Sequence, residues 1–449
     1  MSLNEIDDEL FGDEPVCAST FMLMGVGPEP DAQEIMLPIH ELVGAQITNT
    51  NPIKSDHIPT EDSVLSLSVH EETLNLHIWV SDVNDAVASA LELDLQSSDQ
   101  ETQMAINSDW VLFVVGELRT EAILEDLSNQ LRCVELLCSE VVRQVYDMSA
   151  HRLWTAQDFR DQIAIPGCPP ISDLYTMTMV SSEEFQLKDG WNKTEAIEDE
   201  EPDSKGFWAH THGLDRFGLP DIEAFDVPNT HKRQFLELLD SLVERIIDSP
   251  ELLLGVFPMG DNTRGTLIDM QEILPHLPEN MPGVFSRVRN QDASLYGDRR
   301  VLLGGYDEAE TGEELSHWDL APILEDLRVT GKIYRSAHNA TRMQKLAKHR
   351  LPLLKNVWAL HRTKDWRLLV KIPFKDQHID TREHRWFEIE QLEEVDVKAW
   401  PISSDPSSSA PAPCSIALTD LSAFMLLTPD GKWDAAQLPK LARQLAVSS

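Results

Sequence analysis

Residues 207–223 constrain the fold of this chain more than any other segment does. They read FWAHTHGLDRFGLPDIE and hold three aromatic residues, two histidines, two glycines and a proline. Gly213 and Gly218 suit backbone conformations with positive φ, and Pro220 suits a tight turn. We therefore predict a strand, a shaped turn and a second strand, which requires a sheet at this point of the chain.

Short apolar segments predict further strands, at residues 21–26, 64–69, 74–80, 110–116, 174–180, 301–303, 366–374, 383–389, 395–400 and 423–427. Apolar residues three and four apart predict helices at about 121–148 and 230–248, from about 339 up to an interruption at Pro352, and from about 438. This mixture predicts an α+β fold of two or three mixed or antiparallel sheet domains flanked by helices.

A chain of 449 residues is too long for one ordinary core, so we divide it by composition. Residues 1–18 are acidic and predict a disordered tail. Three domains are predicted to follow: an α/β-type sheet domain with a long amphipathic helix at 19–165, an α+β domain with the 207–223 stretch at 166–330, and a basic, then β-rich domain at 331–449.

Charge limits the classes of partner. The chain has 37 Lys and Arg against 77 Asp and Glu, a net charge of −40, which argues against binding of nucleic acid and permits a protein partner that is itself basic. The alternative is a solvated acidic surface that aids solubility. Residues 328–385 are the exception, with fifteen Lys and Arg, four Asp and Glu, and two interleaved tryptophans, Trp358 and Trp366; a third, Trp386, follows directly. This basic segment either contacts the acidic N-terminal half of its own chain or binds an acidic protein or nucleic acid.

The sequence has no run of eighteen apolar residues and begins with an acidic segment, so we expect no membrane span, no signal peptide and a cytoplasmic location. Its five cysteines are scattered without a CxxC pair, which indicates reduced thiols and no structural zinc site. No phosphate-binding glycine motif is present. We expect no organic cofactor, and a divalent metal is the one candidate.

The metal candidate comes from the 207–223 stretch. Residues two apart on a strand share a face, so His210 and His212 point the same way, with Trp208 beside them. Two imidazoles at this spacing can reach one ion, and a carboxylate would complete a His/His/carboxylate set. Three carboxylates are near enough in sequence: Asp215, Asp221 and Glu223. The alternative is a structural motif in which the histidines bond to backbone groups.

A second cluster lies at Glu383, His384 and Trp386. Strand alternation places His384 and Trp386 on one side and Glu383 on the other. Its functional interpretation is a binding site, and its structural interpretation is a cross-strand charge pair beside a core tryptophan.

Two stretches resemble known families. Residues 208–223 resemble the signature W-x-H-T-H-G-L…F-G-x-P-E of an uncharacterised bacterial family, domain of unknown function 4026, whose layout would cover about residues 19–330; Asp221 stands where the signature has Glu. The C-terminal part resembles domain of unknown function 2314 at residues 370–374, 383–387 and 420–425, with Phe424 in place of its usual Trp. Neither family has an established activity, so the resemblance implies no catalytic residue.

These observations lead to two functional hypotheses. The first is a bacterial protein without enzymatic activity that binds a protein partner through its acidic surface, as an immunity or accessory protein. Genes of this kind are similar to those found near bacterial toxin–immunity loci, which agrees with this hypothesis. The alternative is a metal-dependent hydrolase centred on His210 and His212.

Overall fold

The computed structural model describes residues 17–31, 66–71, 74–83, 99–119, 122–163, 171–181, 206–254, 256–259, 263–269, 300–306, 320–330, 337–375, 382–392, 396–402 and 414–448, with single positions between some of these ranges. They form three six-stranded sheets, mostly antiparallel, with helices packed on them. The predicted α+β class is thereby confirmed. Of the tail predicted at residues 1–18, residues 1–16 lie outside the described residues, whereas Cys17 and Ala18 belong to a strand, so the predicted boundary is wrong by two residues.

The chain divides into two compact units. The N-terminal unit comprises Met1–Arg160 and Ile171–Ser336, and the C-terminal unit comprises Asp161–Pro170 and Ala337–Ser449. The second and third sheets lie within the ranges predicted as domains. The first sheet does so except for two residues, Cys17 and Ala18, at the start of its first strand. The first two sheets share a unit, and a short segment from the middle of the chain joins the C-terminal unit.

The first sheet is antiparallel throughout, in the order β2-β3-β4-β1-β5-β6. Its strands are β1 (Cys17–Gly25), β2 (Ser66–Glu71), β3 (Leu74–Ser81), β4 (Trp110–Leu118), β5 (Val142–Asp147) and β6 (Arg152–Thr155). Its helices are α1 (Asp99–Ile106) and α2 (Ile123–Leu137), and a short helix at Ala156–Asp158 continues as a π-turn at Phe159–Ile163. The strands predicted at 64–69 and 74–80 are present as β2 and β3, which pair as a hairpin.

The long helix predicted at about 121–148 is wrong in its second half. Helix α2 ends at Leu137, and β5 occupies Val142–Asp147. Leu127, Leu131 and Val134 are buried, as their spacing predicts. Beyond them the segment is rich in valine and tyrosine, which favour strands, and pairing with β1 buries these side chains better than a further helical turn would.

The second sheet belongs to the same unit and has the order β10-β11-β12-β9-β8-β7, with β9 and β12 parallel and the other pairs antiparallel. Its strands are β7 (Thr176–Ser181), β8 (Gly206–His212), β9 (Asp221–Pro228), β10 (Phe257–Pro258), β11 (Arg264–Asp269) and β12 (Arg300–Tyr306). Its helices are α3 (Lys232–Asp248) and α4 (Ala321–Thr330). As predicted, α3 buries one apolar face, which includes Phe235, Leu238, Leu239, Leu242 and Ile246.

The third sheet forms the C-terminal unit and is antiparallel, in the order β16-β15-β14-β13-β17-β18. Its strands are β13 (Arg367–Lys375), β14 (Arg382–Ile389), β15 (Asp396–Pro401), β16 (Cys414–Ala417), β17 (Ala423–Thr428) and β18 (Gly431–Trp433). Its helices are α5 (Ala337–His361) and α6 (Leu438–Ser448).

Helix α5 runs through Pro352, so the predicted interruption at this residue is wrong. A proline inside a helix costs about 3 kcal/mol, because it removes one hydrogen bond and crowds the preceding turn. Buried side chains on both sides of Pro352 offset this cost, since Leu346 precedes it and Leu354 and Trp358 follow it in the same core. Among the helices of the described ranges, α5 included, none is long and apolar enough to cross a membrane.

Candidate functional site

Strand β8 carries a row of stacked rings. The indole of Trp208 and the imidazole of His210 stack with centroids 4.1 Å apart and planes 30° apart. The rings of His210 and His212 meet edge to face at 4.5 Å. The three side chains therefore lie on one face of the strand, as the alternation of its residues predicts.

A third histidine extends this row from the first sheet. His151 lies in the turn between β5 and β6, and its ring centroid is 5.1 Å from that of His212, again edge to face. Its φ of 49° is positive, which is uncommon for a residue other than glycine and marks a turn that its surroundings hold in place. The hydroxyl of Tyr146 lies 3.4 Å from Nδ1 of His151. We call His151, His210 and His212 the histidine cluster.

Glu223 lies opposite His210 in the pairing of β8 with β9, and its side chain is buried. One of its carboxylate oxygens accepts a hydrogen bond from the indole N–H of Trp208 at 3.1 Å, and the other pairs with the guanidinium of Arg300. The ion pair with Arg300 thus lies within the second sheet and offsets the cost of burying the side chain of Glu223.

Asp221 is hydrogen-bonded to residues at the end of β8 and in the turn that follows it. Its Oδ1 accepts hydrogen bonds from the hydroxyl of Thr211 at 3.0 Å and the backbone N–H of Leu214 at 3.4 Å. The same hydroxyl accepts the N–H of Ile222 at 2.8 Å. Burial, and then the negative charge of Asp215, raise the pKa of Asp221 to about 8, so this carboxyl is mostly protonated at pH 7.

The turn between the strands has the shape that its glycines predict. Gly213 has a φ of 102° and Gly218 a φ of 68°, on either side of a 3₁₀ turn at Asp215–Phe217. A Cβ on Gly213 would lie 3.0 Å from the carbonyl oxygen of Ser149. A Cβ on Gly218 would lie 3.0 Å from the sulfur of Cys17. Both glycines therefore allow the turn to approach the first sheet closely.

Arg216 anchors this approach. Its side chain is fully buried and forms an ion pair with Asp147 on β5, which is buried as well. Its guanidinium carbon lies 5.6 Å from the ring centroid of Phe21 on β1. Asp147 also accepts the backbone N–H of Ala150 at 3.1 Å. In contrast, Asp215 is exposed. The HTHGLDRFG segment thus attaches the second sheet to the first, and we call it the docking turn.

The electrostatics of the histidine cluster favour a neutral ring at His212. Burial, and then the neighbouring His210 and His151, lower the pKa of His212 to about 2. A neutral imidazole can accept a proton or bind a metal ion. However, within the described part of the chain no group of three or more His, Cys, Asp or Glu side chains is arranged to hold a metal ion. The metal site at His210 and His212 stays a prediction.

The second cluster is described in part. Trp386 is half-buried on β14, and the ammonium of Lys371 lies 5.9 Å from its ring centroid. The side chains of Glu383 and His384 lie outside the described residues, so the predicted charge pair stays a prediction. Trp358 and Trp366, which lie within the basic segment, are buried in the core of the C-terminal unit.

The sequence did not point to three partners of the 207–223 stretch: Asp147, His151 and Arg300. Two of them precede it by more than fifty residues and one follows it by more than seventy. No local motif surrounds them, since sheet packing brings them together. The positive φ of His151 is likewise invisible in sequence, because histidine gives no signal of the kind that glycine gives.

Comparison with known proteins found one family. Residues 194–298 match a family described as Protein of unknown function (DUF4026) C-terminal, which confirms over this segment the resemblance predicted from the 208–223 signature. No curated protein and no solved structure matches the chain. The matched segment contains β8, β9 and the docking turn, whereas Asp147 and His151 lie before it. The resemblance of the C-terminal part to domain of unknown function 2314 stays a prediction.

Proposed function

We propose that this chain is a cytoplasmic bacterial binding protein without catalytic activity, of the immunity or accessory kind, and that it takes a basic protein partner on the acidic surface of its N-terminal unit. The observation that carries the proposal is the distribution of charge. The residue ranges of the N-terminal unit hold 63 Asp and Glu against 21 Lys and Arg, while those of the C-terminal unit hold 14 and 16.

Exposed acidic side chains gather at one end of the first sheet. The pairing of β1 with β4 and β5, and of β3 with β4, brings together the chain around Gly25, Ser81, Trp110 and Val142. The exposed acids of these connections are Glu29, Asp31, Asp82, Asp109 and Glu140. We call this region the acidic end.

Two features of the acidic end suit the binding of a protein partner. Hydrogen bonds fix its backbone: Asp109 accepts the N–H of Gly27 at 2.6 Å, and Asp31 and Glu34 form a capping box with bonds of 2.9 and 3.0 Å. Two large apolar side chains are also exposed in α1 and just before β5, Met104 at 51% and Val141 at 39%. Apolar side chains among charges are typical of protein interfaces.

The contacts of the 207–223 stretch support a non-enzymatic role. Glu223 pairs with Arg300 and Arg216 pairs with Asp147, both outside the stretch, while Trp208 donates to Glu223 within it; these contacts support a structural role for the stretch. Burial raises the pKa of Cys133 and Cys138 to about 12, which makes these thiols poor nucleophiles at neutral pH.

The test is affinity capture on the immobilised full chain, followed by titration with whichever purified partner is captured. We expect a basic protein whose affinity falls as salt rises, because its contacts are ionic. Reversing one charge at the acidic end, in Glu140→Lys, should weaken binding severalfold, mainly through a slower association rate.

Glu125→Lys is the matched control, since Glu125 is exposed on α2 of the same unit and the change in charge is identical. Equal weakening by both variants would mean that only net charge matters. A partner without basic character, or an affinity that does not respond to salt, would disprove the proposal.

The second candidate is a metal-dependent hydrolase, and the specific observation in its favour is that His151 joins His210 and His212. Three histidines are a known ligand set for catalytic zinc. The test is elemental analysis of the purified protein, together with metal titration of the wild type and of His210→Ala. Absence of bound zinc, manganese and iron, with no difference between the two proteins on titration, would exclude this candidate.

A further inference from the structure

The third sheet has two faces of different character. One face packs on α5 and α6, and its core includes Leu368, Val370, Phe387 and Val397 together with Leu354 and Leu438. Strand residues alternate between faces, so the neighbours of these core residues lie on the other side. Among the described residues of the C-terminal unit, both helices pack on the core face.

The second face carries two tryptophans and four basic side chains. Strand pairing places Lys371 beside Trp386, and Lys398 and Trp400 follow on the adjacent β15. None of these side chains belongs to the core that the helices cover. The tryptophans are half-buried, which is usual for large rings on a sheet surface, while Lys398 is exposed. We call this surface the tryptophan face.

Each indole has an ammonium group over its ring. The nitrogen of Lys371 lies 5.9 Å from the centroid of Trp386, and that of Lys398 lies 5.2 Å from the centroid of Trp400. Glu388, opposite Trp400, lies two residues after Trp386 on β14, so the tryptophans are diagonal neighbours on adjacent strands. In an antiparallel pair such neighbours are about 7–8 Å apart, close enough to form one platform.

The charges of this face favour an anionic ligand. Its described charged side chains are four basic residues, Arg367, Lys371, Lys398 and Lys432, and one acid, Glu388. Arg367 holds Glu388 in a two-bonded pair with distances of 2.8 and 2.7 Å. The three lysines, Lys371, Lys398 and Lys432, are not part of this ion pair. The acidic residues that dominate the net charge fall in the residue ranges of the other unit.

We propose that the tryptophan face binds single-stranded nucleic acid. Stacking on Trp386 and Trp400 would hold two successive bases, and the lysines beside the rings would contact the phosphates between them. Sheets with exposed aromatic residues hold two or three bases of a single strand in this way, and stacking tolerates any base. The site is independent of the acidic end and of the basic partner proposed for it.

The test uses the full chain and a fluorescein-labelled oligothymidylate of about 15 nucleotides, with fluorescence anisotropy at low and moderate salt. We expect binding at low salt, quenching of tryptophan fluorescence, and weaker binding to duplex DNA of the same length. Trp400→Ala should weaken binding by about fivefold or more, and Trp400→Phe should restore most of the loss, because a phenyl ring still stacks.

Lys398→Glu and Lys348→Glu form a matched pair. Both lysines are exposed and the change in charge is the same, but Lys348 lies on α5, across the sheet from the tryptophan face. We expect a much larger loss for Lys398→Glu, with unchanged thermal unfolding of both proteins. Equal losses, equal affinity for duplex and single strand, or no binding at low salt would overturn the proposal. So would an oligomer that Lys398→Glu dissociates in the absence of oligonucleotide, because the face would then join copies of this chain.

Discussion

His212 lies in the docking turn and Asp221 follows the turn at the start of β9, and folding holds both in their neutral forms by opposite shifts of pKa. Burial raises the pKa of Asp221 to about 8 and lowers that of His212 to about 2. A neutral carboxyl and a neutral imidazole carry no net charge into the junction between the two sheets. The charge that Arg216 brings there is balanced by Asp147.

The first prediction concerns Asp221→Asn and the pH dependence of stability. The carboxyl has an ordinary pKa of 3.8 and a raised value of about 8 in the folded protein. Its favourable contribution is therefore fully present below pH 3.8 and is lost as pH rises to about 8. Asparagine keeps the acceptor oxygen for Thr211 and Leu214 and cannot ionise. The variant should be more stable than wild type by about 1 kcal/mol or more at pH 9.

Thermal or urea unfolding from pH 3.5 to pH 9 measures this difference. The advantage of Asp221→Asn should be small at the acid end, grow through the middle of the range and level off above pH 8. A constant difference across the range would show that Asp221 does not titrate with the raised pKa.

At the scale of elements, the docking turn depends on the missing side chain of Gly213. Gly213→Ala places a Cβ 3.0 Å from Ser149 O and 3.1 Å from Ala150 Cα, and neither backbone can give way without moving the β5–β6 turn. Gly27 supplies the control: its φ of 89° is as strained for alanine, but no atom lies within 4 Å of its added Cβ.

We expect Gly27→Ala to cost about 1–2 kcal/mol for the backbone conformation alone, and Gly213→Ala at least about 1 kcal/mol more for the contact. Urea unfolding of both variants gives the comparison. Equal costs would mean that the docking turn does not need its close approach to the first sheet.

Most elements could be predicted because their signals are local. The glycines and the proline of residues 207–223 gave the strand, the turn and the second strand, and apolar spacing gave α3. The boundary between α2 and β5 could not be predicted, because valines three and four apart suit a helix face as well as they suit a strand. Pairing with β1, more than a hundred residues earlier, decides the outcome.

Only the part of the candidate site that lies on β8 and β9 could be predicted from the sequence. The row of Trp208, His210 and His212 follows from strand alternation, and its approach to Glu223 follows from the hairpin. The other side of the cluster, His151 and Asp147, comes from a different sheet. A single sequence holds no record of which sheets pack together, so this half of the site required the three-dimensional fold.

At the scale of the whole molecule, a prediction concerns the segment that leaves β6 and enters the C-terminal unit. Ile165 is buried in the core of that unit, and Asp161 nearby pairs with Arg443 of α6. Ile165→Asp would bury an unpaired charge there. We expect it to destabilise the C-terminal unit by about 3 kcal/mol or more and to leave the N-terminal unit almost unchanged.

Hydrogen exchange distinguishes the units, with the amides of Leu368 and Val370 in one and those of Leu23 and Val114 in the other. Ile165→Val is the control and should cost about 1 kcal/mol. Faster exchange of Leu23 and Val114 in Ile165→Asp, equal to that of Leu368 and Val370, would show that the segment belongs to both cores.

The position of Asp161–Pro170 in the C-terminal unit has a consequence for synthesis on the ribosome. Asp161–Pro170 are translated well before Ala337–Ser449, yet they belong to the same unit. At about 5–20 residues per second, the interval between Pro170 and the final residue is about 15–60 s. During this time Ile165 has no core to enter, and the N-terminal unit can fold around a segment whose partners do not yet exist. The C-terminal unit can therefore complete its fold only after α6 has been translated.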